Sequence, residues 1–485
     1  MSVSVELYSN NLSGKFAEVL FVKENITEFE NNNLKLLSEN SNFKGQSGEV
    51  EFFTFLEEDK IKNYILAGLG KEEKVNQEVY KKALAKIIKE GEKRKVEHLI
   101  IDIKDIAVFP DDYTKTRVTT ETAILAGYKF NKYKTDDKEK NKEEKNLNVL
   151  IKGGISEAVL EGKILGESTL ISRDLVNEPA NVMTPKNLAE LAKAKGKEVG
   201  FDVEIFDEDE IEDLGMGAFL AVAGGSKKKP QLIVMRYLNN PEKPDEINGV
   251  VGKGLMYDSG GLSIKPTNSM LEMKSDMSGG AAVIGAFTAI AKAGLKVNVI
   301  GVIAACENMI SGKSYRPGDI LTTMAGKTVF VGNTDAEGRL TLVDAIHYII
   351  EKEKVLNVLD IATLTGAAVV ALGDTTTAAL SNNEEFYNEI LEASKEADER
   401  IWRLPIFDDY REKIKAKEAD LTNSAGNPGT ITAALFIEAF VQGKPWVHLD
   451  IAGPSWTEKE YDYYSLGGTG YGVRTIYHWL KNKSR

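Results

Sequence analysis

The sequence predicts an α/β protein of two domains: a smaller N-terminal α/β domain, and a larger C-terminal α/β domain with a mostly parallel central sheet flanked by helices. Three observations predict it. A chain of 485 residues is longer than a single growing core supports, so it should divide. Its composition, 42% hydrophobic and 28% charged, is globular rather than disordered or fibrous. Strand-like apolar runs also alternate with stretches of helical periodicity along its length, the pattern of strands covered by helices.

The N-terminal domain is expected over residues 1–152, where the strand-like "NYILAGLG" and "HLIIDI" alternate with the helix-like "QEVYKKALAKIIKEG". The mixed-sign run from Lys134 to Asn146 has no apolar face and reads as a solvated loop or hairpin tip. Between Gly154 and Val176, Ile155, Val159, Ile164, Ile171 and Leu175 recur at roughly helical spacing, and "NEPANVMTP" then breaks the pattern with two prolines. A connecting helix is therefore expected over 153–176. The second domain, 177–485, alternates expected helices (Lys186 to Val199, Ala281 to Ala293, Leu340 to Lys354) with expected strands (Gln231 to Tyr237, Val297 to Ala304, Val355 to Ile361, Trp446 to Ile451).

A formal net charge of −13 disfavours phosphate backbones, whose non-specific partners are rich in clustered Lys and Arg, so nucleic acid is an unexpected partner. The single cysteine, Cys306, lies in the apolar "VIGVIAAC" and reads as a small buried hydrophobe. The N-terminal residues lack a basic start followed by an apolar h-region, and no window approaches 18 consecutive apolar residues. The cytoplasm is the expected compartment, without membrane insertion.

The stretch "INGVVGKGLMYDSGGLSIKP" starts as an apolar strand and ends among glycines, as ligand loops at strand C-termini do. Gly252 and Gly254 form a GxG, but Tyr257 stands where a third glycine belongs, and the chain has no GxxxxGK[ST]. Nucleotide binding is the weaker reading. The stronger one starts from four carboxylates at breaks between elements: Asp258, Asp276, Asp335 and Glu337. In extended backbone, residues i and i+2 face one side, so Asp335 and Glu337 of "NTDAEGRL" can converge on a point. An isolated Asp-x-Glu is most often a solvated turn. Here, however, the apolar "KTVFV" precedes it and the apolar "LTLVDAIHYII" follows, Asp276 opens a small-residue helix where N-capping is the plain alternative, and Lys253 and Lys265 flank Asp258. Four carboxylates suit two divalent ions of hard or borderline character. His98, His347, His448 and His478 lie elsewhere and read as structural, with His448 near a strand end as a supporting group.

These residues carry a resemblance to the leucine aminopeptidase family of dinuclear metallo-exopeptidases. "NTDAEGRL" resembles its signature, and "VGKGLMYDSGGLSIKP", "MLEMKSDMSGGAAV", "ENMISGKSYRPGDI", "DIATLTGA" and "HLDIAGP" resemble family blocks in the same order, covering roughly Leu170 to the C-terminus. Asp258 and Lys265 fall five and twelve positions after Lys253, in agreement with the family pattern.

The resemblance implies that Lys253, Asp258, Asp276, Asp335 and Glu337 hold two divalent metals (Mn or Zn, with Mg or Co permitted), Asp258 and Glu337 bridging. It implies that Lys265 stabilises the oxyanion and that Arg339 holds a bicarbonate as general base. Met273, Asn333, Thr363, Leu364, Gly366 and Ala452 would contact the substrate, a peptide with a free N-terminus and a leucine or other neutral first residue. A cytoplasmic homohexamer is also implied. Two departures from the pattern, "LMYD" before the Asp258 position and Ser278 where glycine is common, touch no implied ligand. The competing readings are an aminopeptidase with an added DNA-binding role and a two-metal phosphatase.

Overall fold

The computed structural model describes residues 3–9, 13–24, 29, 31–57, 59–106, 108–135 and 146–484. Most of the charged run from Lys134 to Asn146 lies outside the described residues. The chain divides into two compact units, Met1–Leu170 with Lys459–Leu466, and Ile171–Glu458 with Gly467–Arg485.

The first unit is built on six strands: β1 (Val3–Leu7), β2 (Phe16–Lys23), β3 (Val50–Glu57), β4 (Lys60–Gly70), β5 (His98–Asp102) and β6 (Leu147–Lys152). Their order is β1-β6-β5-β2-β4-β3. All neighbours are parallel except β3, which folds back on β4 as an antiparallel hairpin. The helix Gln77–Lys93 starts where the Asn76 side chain accepts the Val79 N–H. It buries Tyr80, Ala83, Leu84, Ile87 and Ile88, one face at helical spacing, in a core shared with Val19, Ile65, Leu99 and Val149.

The second unit holds an eight-stranded sheet: β7 (Asp202–Phe206), β8 (Gln231–Leu238), β9 (Ile247–Asp258), β10 (Asn298–Asn308), β13 (Asn357–Ala362), β14 (Thr377–Ser381), β15 (Ile401–Arg403) and β17 (Trp446–Asp450). A separate three-stranded sheet contains β11 (Ile320–Thr322), β12 (Thr328–Phe330) and β16 (Leu421–Thr422). The large sheet runs β15-β14-β17-β13-β9-β10-β8-β7. Its centre, β17-β13-β9-β10, is wholly parallel, whereas β8 and β14 pair antiparallel with their inner neighbours. Central parallel strands are covered on both faces and read as continuous apolar runs; every residue of β10 is buried. The helix Ser278–Lys292 is likewise buried from Ser278 to Ile290, which is why its sequence is apolar all round.

The fold decides two details. The "KTVFV" strand belongs to the small sheet rather than the large one. The glycines of the GxG serve packing: a Cβ at Gly252 would meet Gly279 O at 2.7 Å, and one at Gly254 would meet Ile303 Cγ2 at 2.7 Å. They let β9 approach the start of helix Ser278–Lys292 and the neighbouring β10, and form no phosphate loop. The C-terminal ends of β9, β10, β13 and β17 lie side by side, and these are the ends that carry Asp258, Asn308, Thr363 and Asp450. No helix among the described residues is long and apolar enough to cross a membrane.

Candidate functional site

The acids singled out in the sequence meet at these strand ends. Asp258 closes β9, Asp276 sits on the short turn Met273–Met277, and Asp335 and Glu337 lie just before the helix Gly338–Glu351. Asp258, Asp335 and Glu337 each bring a carboxylate oxygen within 4.8 Å of the others. Two lysines thread the group. Lys253 Nζ lies 2.8 Å from Asp276 Oδ1, 3.0 Å from Glu337 Oε1 and 2.9 Å from Thr363 O. Lys265 Nζ lies 2.8 Å from Asp258 Oδ2 and 2.5 Å from Asp335 Oδ1.

The convergence of Asp335 and Glu337 has a different cause from the one expected. Extended backbone would place them on one face, but Asp335 sits in a turn and Glu337 is already helical at φ −77° and ψ −38°. The turn is built by Asn333, whose Oδ1 accepts the Asp335 N–H at 2.8 Å. Gly338 then makes room for Lys253: a Cβ there would stand 2.4 Å from Lys253 Cε and 2.7 Å from its Nζ. Nor does Asp276 cap its helix. Met277 is the cap residue with no side-chain bond, while Asp276 Oδ1 accepts from Lys253 and from Thr363 Oγ1 at 2.8 Å.

Four carboxyl groups against two amines give this largely buried cluster two more acids than bases. Burial, then the Glu337 and Asp276 carboxylates, push Asp258 up to about 8 against the pull of both lysines. Burial likewise lifts Asp276 to about 6 and raises Asp335. Burial would raise Glu337 too, but Lys253 and Lys265 outweigh it and hold that carboxyl below the usual range. Burial opposes the charge on each lysine, yet the surrounding carboxylates prevail and hold both amines above the ordinary lysine value. The oxygens Asp276 Oδ2 and Glu337 Oε2 are buried with no hydrogen-bond partner. Buried carboxylate oxygens are normally satisfied. More acids than amines, with buried carboxyl oxygens left unpartnered, fit a divalent cation, and such an oxygen-rich set suits hard or borderline ions.

Beside the cluster opens a cavity of about 230 Å³ lined by Asn333, Asp335, Arg339, Leu364 and Gly366, and by Ser424 to Asn427. Arg339 is buried; burial draws its guanidinium down to about 10 against Glu337 and Asp450, so it stays cationic at neutral pH. Its Nη1 donates to Asn423 O at 2.7 Å, while Nε has no partner. Of the other residues expected at the substrate, Thr363 touches Lys253 and Asp276, and Ala452 donates its N–H to Asp450 Oδ1 at 3.2 Å. Met273 begins the turn that carries Asp276. None of these three lines the cavity.

Several supporting groups escape a reading of the sequence. Asn308 Nδ2 donates to Asp258 Oδ1 at 2.8 Å and to Thr334 O at 2.9 Å. Asp450 accepts from Leu364 N at 3.0 Å and from Thr365 Oγ1 at 2.6 Å, fixing the loop after β13. Their one sequence signal is position at the end of a buried strand. His448 Nδ1 pairs with Asp360 Oδ1 at 2.6 Å in the core, His98 meets Ser13 O, and His347 meets Gln442. Cys306 is fully buried.

Comparison with known proteins identifies the chain's relatives. Residues 170–477 match the model of the cytosol aminopeptidase family catalytic domain, and residues 19–137 match that of the family's N-terminal domain. A probable cytosol aminopeptidase of Clostridium perfringens is 48% identical over 96% of this chain and 95% of its own length. One from Treponema denticola is 41% identical over 97% of this chain and 98% of its own. Among solved structures, the bottromycin maturation enzyme BotP in complex with Mn is similar at a TM-score of 0.88 and 30% identity, over 98% of this chain and 100% of that one. With both its halves matched, the chain belongs to the cytosol aminopeptidase family, hydrolases that depend on divalent metal and release residues from peptide N-termini.

Proposed function

We propose that the protein is a two-metal aminopeptidase that removes leucine and other neutral residues from peptide N-termini. One observation carries the reading: carboxylates from separate segments converge within 4.8 Å while oxygens of Asp276 and Glu337 remain buried without partners. Lys253, Asp258, Asp276, Asp335 and Glu337 would hold two divalent ions, Mn or Zn. Divalent ions held there would supply an acidified water as nucleophile and polarisation of the scissile carbonyl.

The remaining work falls to the chain. Lys253 can act as a ligand only as the neutral amine, and the carboxylates around it favour the proton, so metal loading must release that proton. Lys265, held cationic, faces the cluster and would stabilise the negative charge that grows on the carbonyl oxygen. The unpartnered Arg339 Nε and the cavity before it would hold a planar anion such as bicarbonate, which would take the proton of the attacking water. Asn333, Leu364 and Gly366 line that same cavity, and with Met273, Thr363 and Ala452 they would contact the substrate. A homohexamer in the cytoplasm is the assembly this reading expects.

The test is to strip the protein with a chelator, restore Mn²⁺ or Zn²⁺, and follow leucine amide hydrolysis while counting bound metal. Activity that returns with two ions per chain is expected. Activity indifferent to chelation, or complete at one ion per chain, would sink the two-metal reading.

A further inference from the structure

Within the turn 332–336 the backbone about Asp335 is held by Asn333, whose Oδ1 accepts the Asp335 N–H at 2.8 Å and whose carbonyl accepts the Ala336 N–H at 3.4 Å; a residue some ninety positions later ties that turn to the rest of the fold. Asn423 is fully buried and follows β16. The β12–β16 pairing ends with Asn423 N donating to Phe330 O at 3.2 Å. The side-chain amide then continues it as a surrogate peptide group. Its Oδ1 accepts from Gly332 N at 2.9 Å and Asn333 N at 3.4 Å. Its Nδ2 donates to Asn333 O at 2.7 Å and to Ala336 O at 3.2 Å. The carbonyl of the same residue accepts Arg339 Nη1 at 2.7 Å. Every polar atom of Asn423 is thus engaged by the segment 330–339.

We propose that Asn423 is a positioning residue for the peptidase reaction, its amide fixing the turn that carries Asp335 and Glu337 while its carbonyl fixes Arg339. The inference rests on the reading of those two acids as metal ligands. An amide is required because the turn presents N–H groups on one side and carbonyls on the other; a carboxylate could not donate to Asn333 O and Ala336 O, and an apolar side chain would offer none of them a partner. One side chain therefore sets the metal-holding turn and the guanidinium in register with each other, the kind of outer support on which ligand geometry depends.

The test uses the full chain stripped by chelator and titrated with Mn²⁺ by calorimetry, beside leucine amide kinetics, in wild type, Asn423→Ala, Asn423→Gln and Asp335→Asn. Asn423→Ala removes the amide, and Asn423→Gln keeps it but displaces it by one methylene. Both are expected to lose about 10–100-fold in Mn²⁺ affinity and in kcat, with KM changed much less, since supporting groups of metal ligands typically carry that much. Either variant that is folded by circular dichroism decides the matter. Wild-type Mn²⁺ affinity and kcat in a folded variant, with only a lowered Tm, would overturn the proposal and leave Asn423 a structural clamp. Asp335→Asn separates the two failures: if it binds Mn²⁺ like wild type, the ligand reading itself falls, whereas if it loses Mn²⁺ and the Asn423 variants do not, only the positioning role falls.

Discussion

Buried carboxylates occur in two settings here, and the contrast tells a site from a structural support. Asp344 and Glu399 are buried as deeply as Glu337. Asp344 accepts the backbone N–H groups of Phe219 at 2.9 Å and Met324 at 2.8 Å. Glu399 accepts from Gly472 N, Thr475 N and Thr475 Oγ1, at the start of helix Val473–Lys483, and pairs with Arg474. Their oxygens are answered by fixed donors, many from the backbone, and the carboxyl groups serve to hold elements together. In the strand-end cluster the acids face one another and two side-chain ammonium groups, and the Asp276 Oδ2 and Glu337 Oε2 atoms have no hydrogen-bond partner. Burial alone therefore does not mark function; convergent and unanswered acceptors do.

The sharpest way to break this contrast is Glu337→Gln. It should abolish Mn²⁺ binding and lower kcat by more than the roughly 10²–10³-fold that loss of one oxyanion donor costs. Retained metal binding, read by calorimetry, would remove Glu337 from the ligand set. Lys265→Met comes next, with about 10²–10³-fold lost in kcat and the metal count kept. Should the metal be lost instead, Lys265 would belong to the charge balance rather than to the oxyanion. Asp450→Asn tests a carboxylate that holds the loop beside the cavity. A fall on the order of tenfold in kcat/KM with Mn²⁺ affinity intact is expected, and an unchanged kcat/KM would show that the loop holds its shape without that charge.

The smallest effect is expected at Asp344 and appears in stability rather than rate. Burial raises its carboxyl to about 7, against the N–H groups that favour the charge. Because the folded-state value lies above the ordinary one of roughly 4, its contribution is full below that pH and is lost as pH rises through about 7. Asp344→Asn leaves one buried N–H poorly answered, a cost of about 1–3 kcal/mol in acid. That deficit should shrink between pH 5 and pH 8, because only the wild type must then bury a charge. Urea midpoints of both proteins across this range would check it; a deficit constant with pH would contradict the raised value.

Much of the site was legible because its chemistry is written in short segments. Asp335, Glu337 and Arg339 stand together, and Lys253, Asp258 and Lys265 share one Gly-rich stretch, so residue type and spacing expose them. The reason given for the Asp335–Glu337 convergence was wrong, since periodicity sees strands and helices but not a turn set by Asn333. Asn308, Asn423 and Asp450 were illegible for a plainer reason. Each is a single polar residue whose partners lie tens of positions away, and no local pattern distinguishes it from any other buried Asn or Asp.

The sequence by itself determined the two-domain α/β organisation, the burial of its central strands and the set of charged groups available for chemistry. Apolar periodicity and residue type are local properties, and they suffice for that. Only the tertiary structure decided that "KTVFV" leaves the main sheet, that Gly338 clears space for the Lys253 amine, and that one distant amide holds the carboxylate turn. These depend on which backbone groups remain unpaired once strands and helices have packed, and that is settled by contacts between segments far apart in the chain.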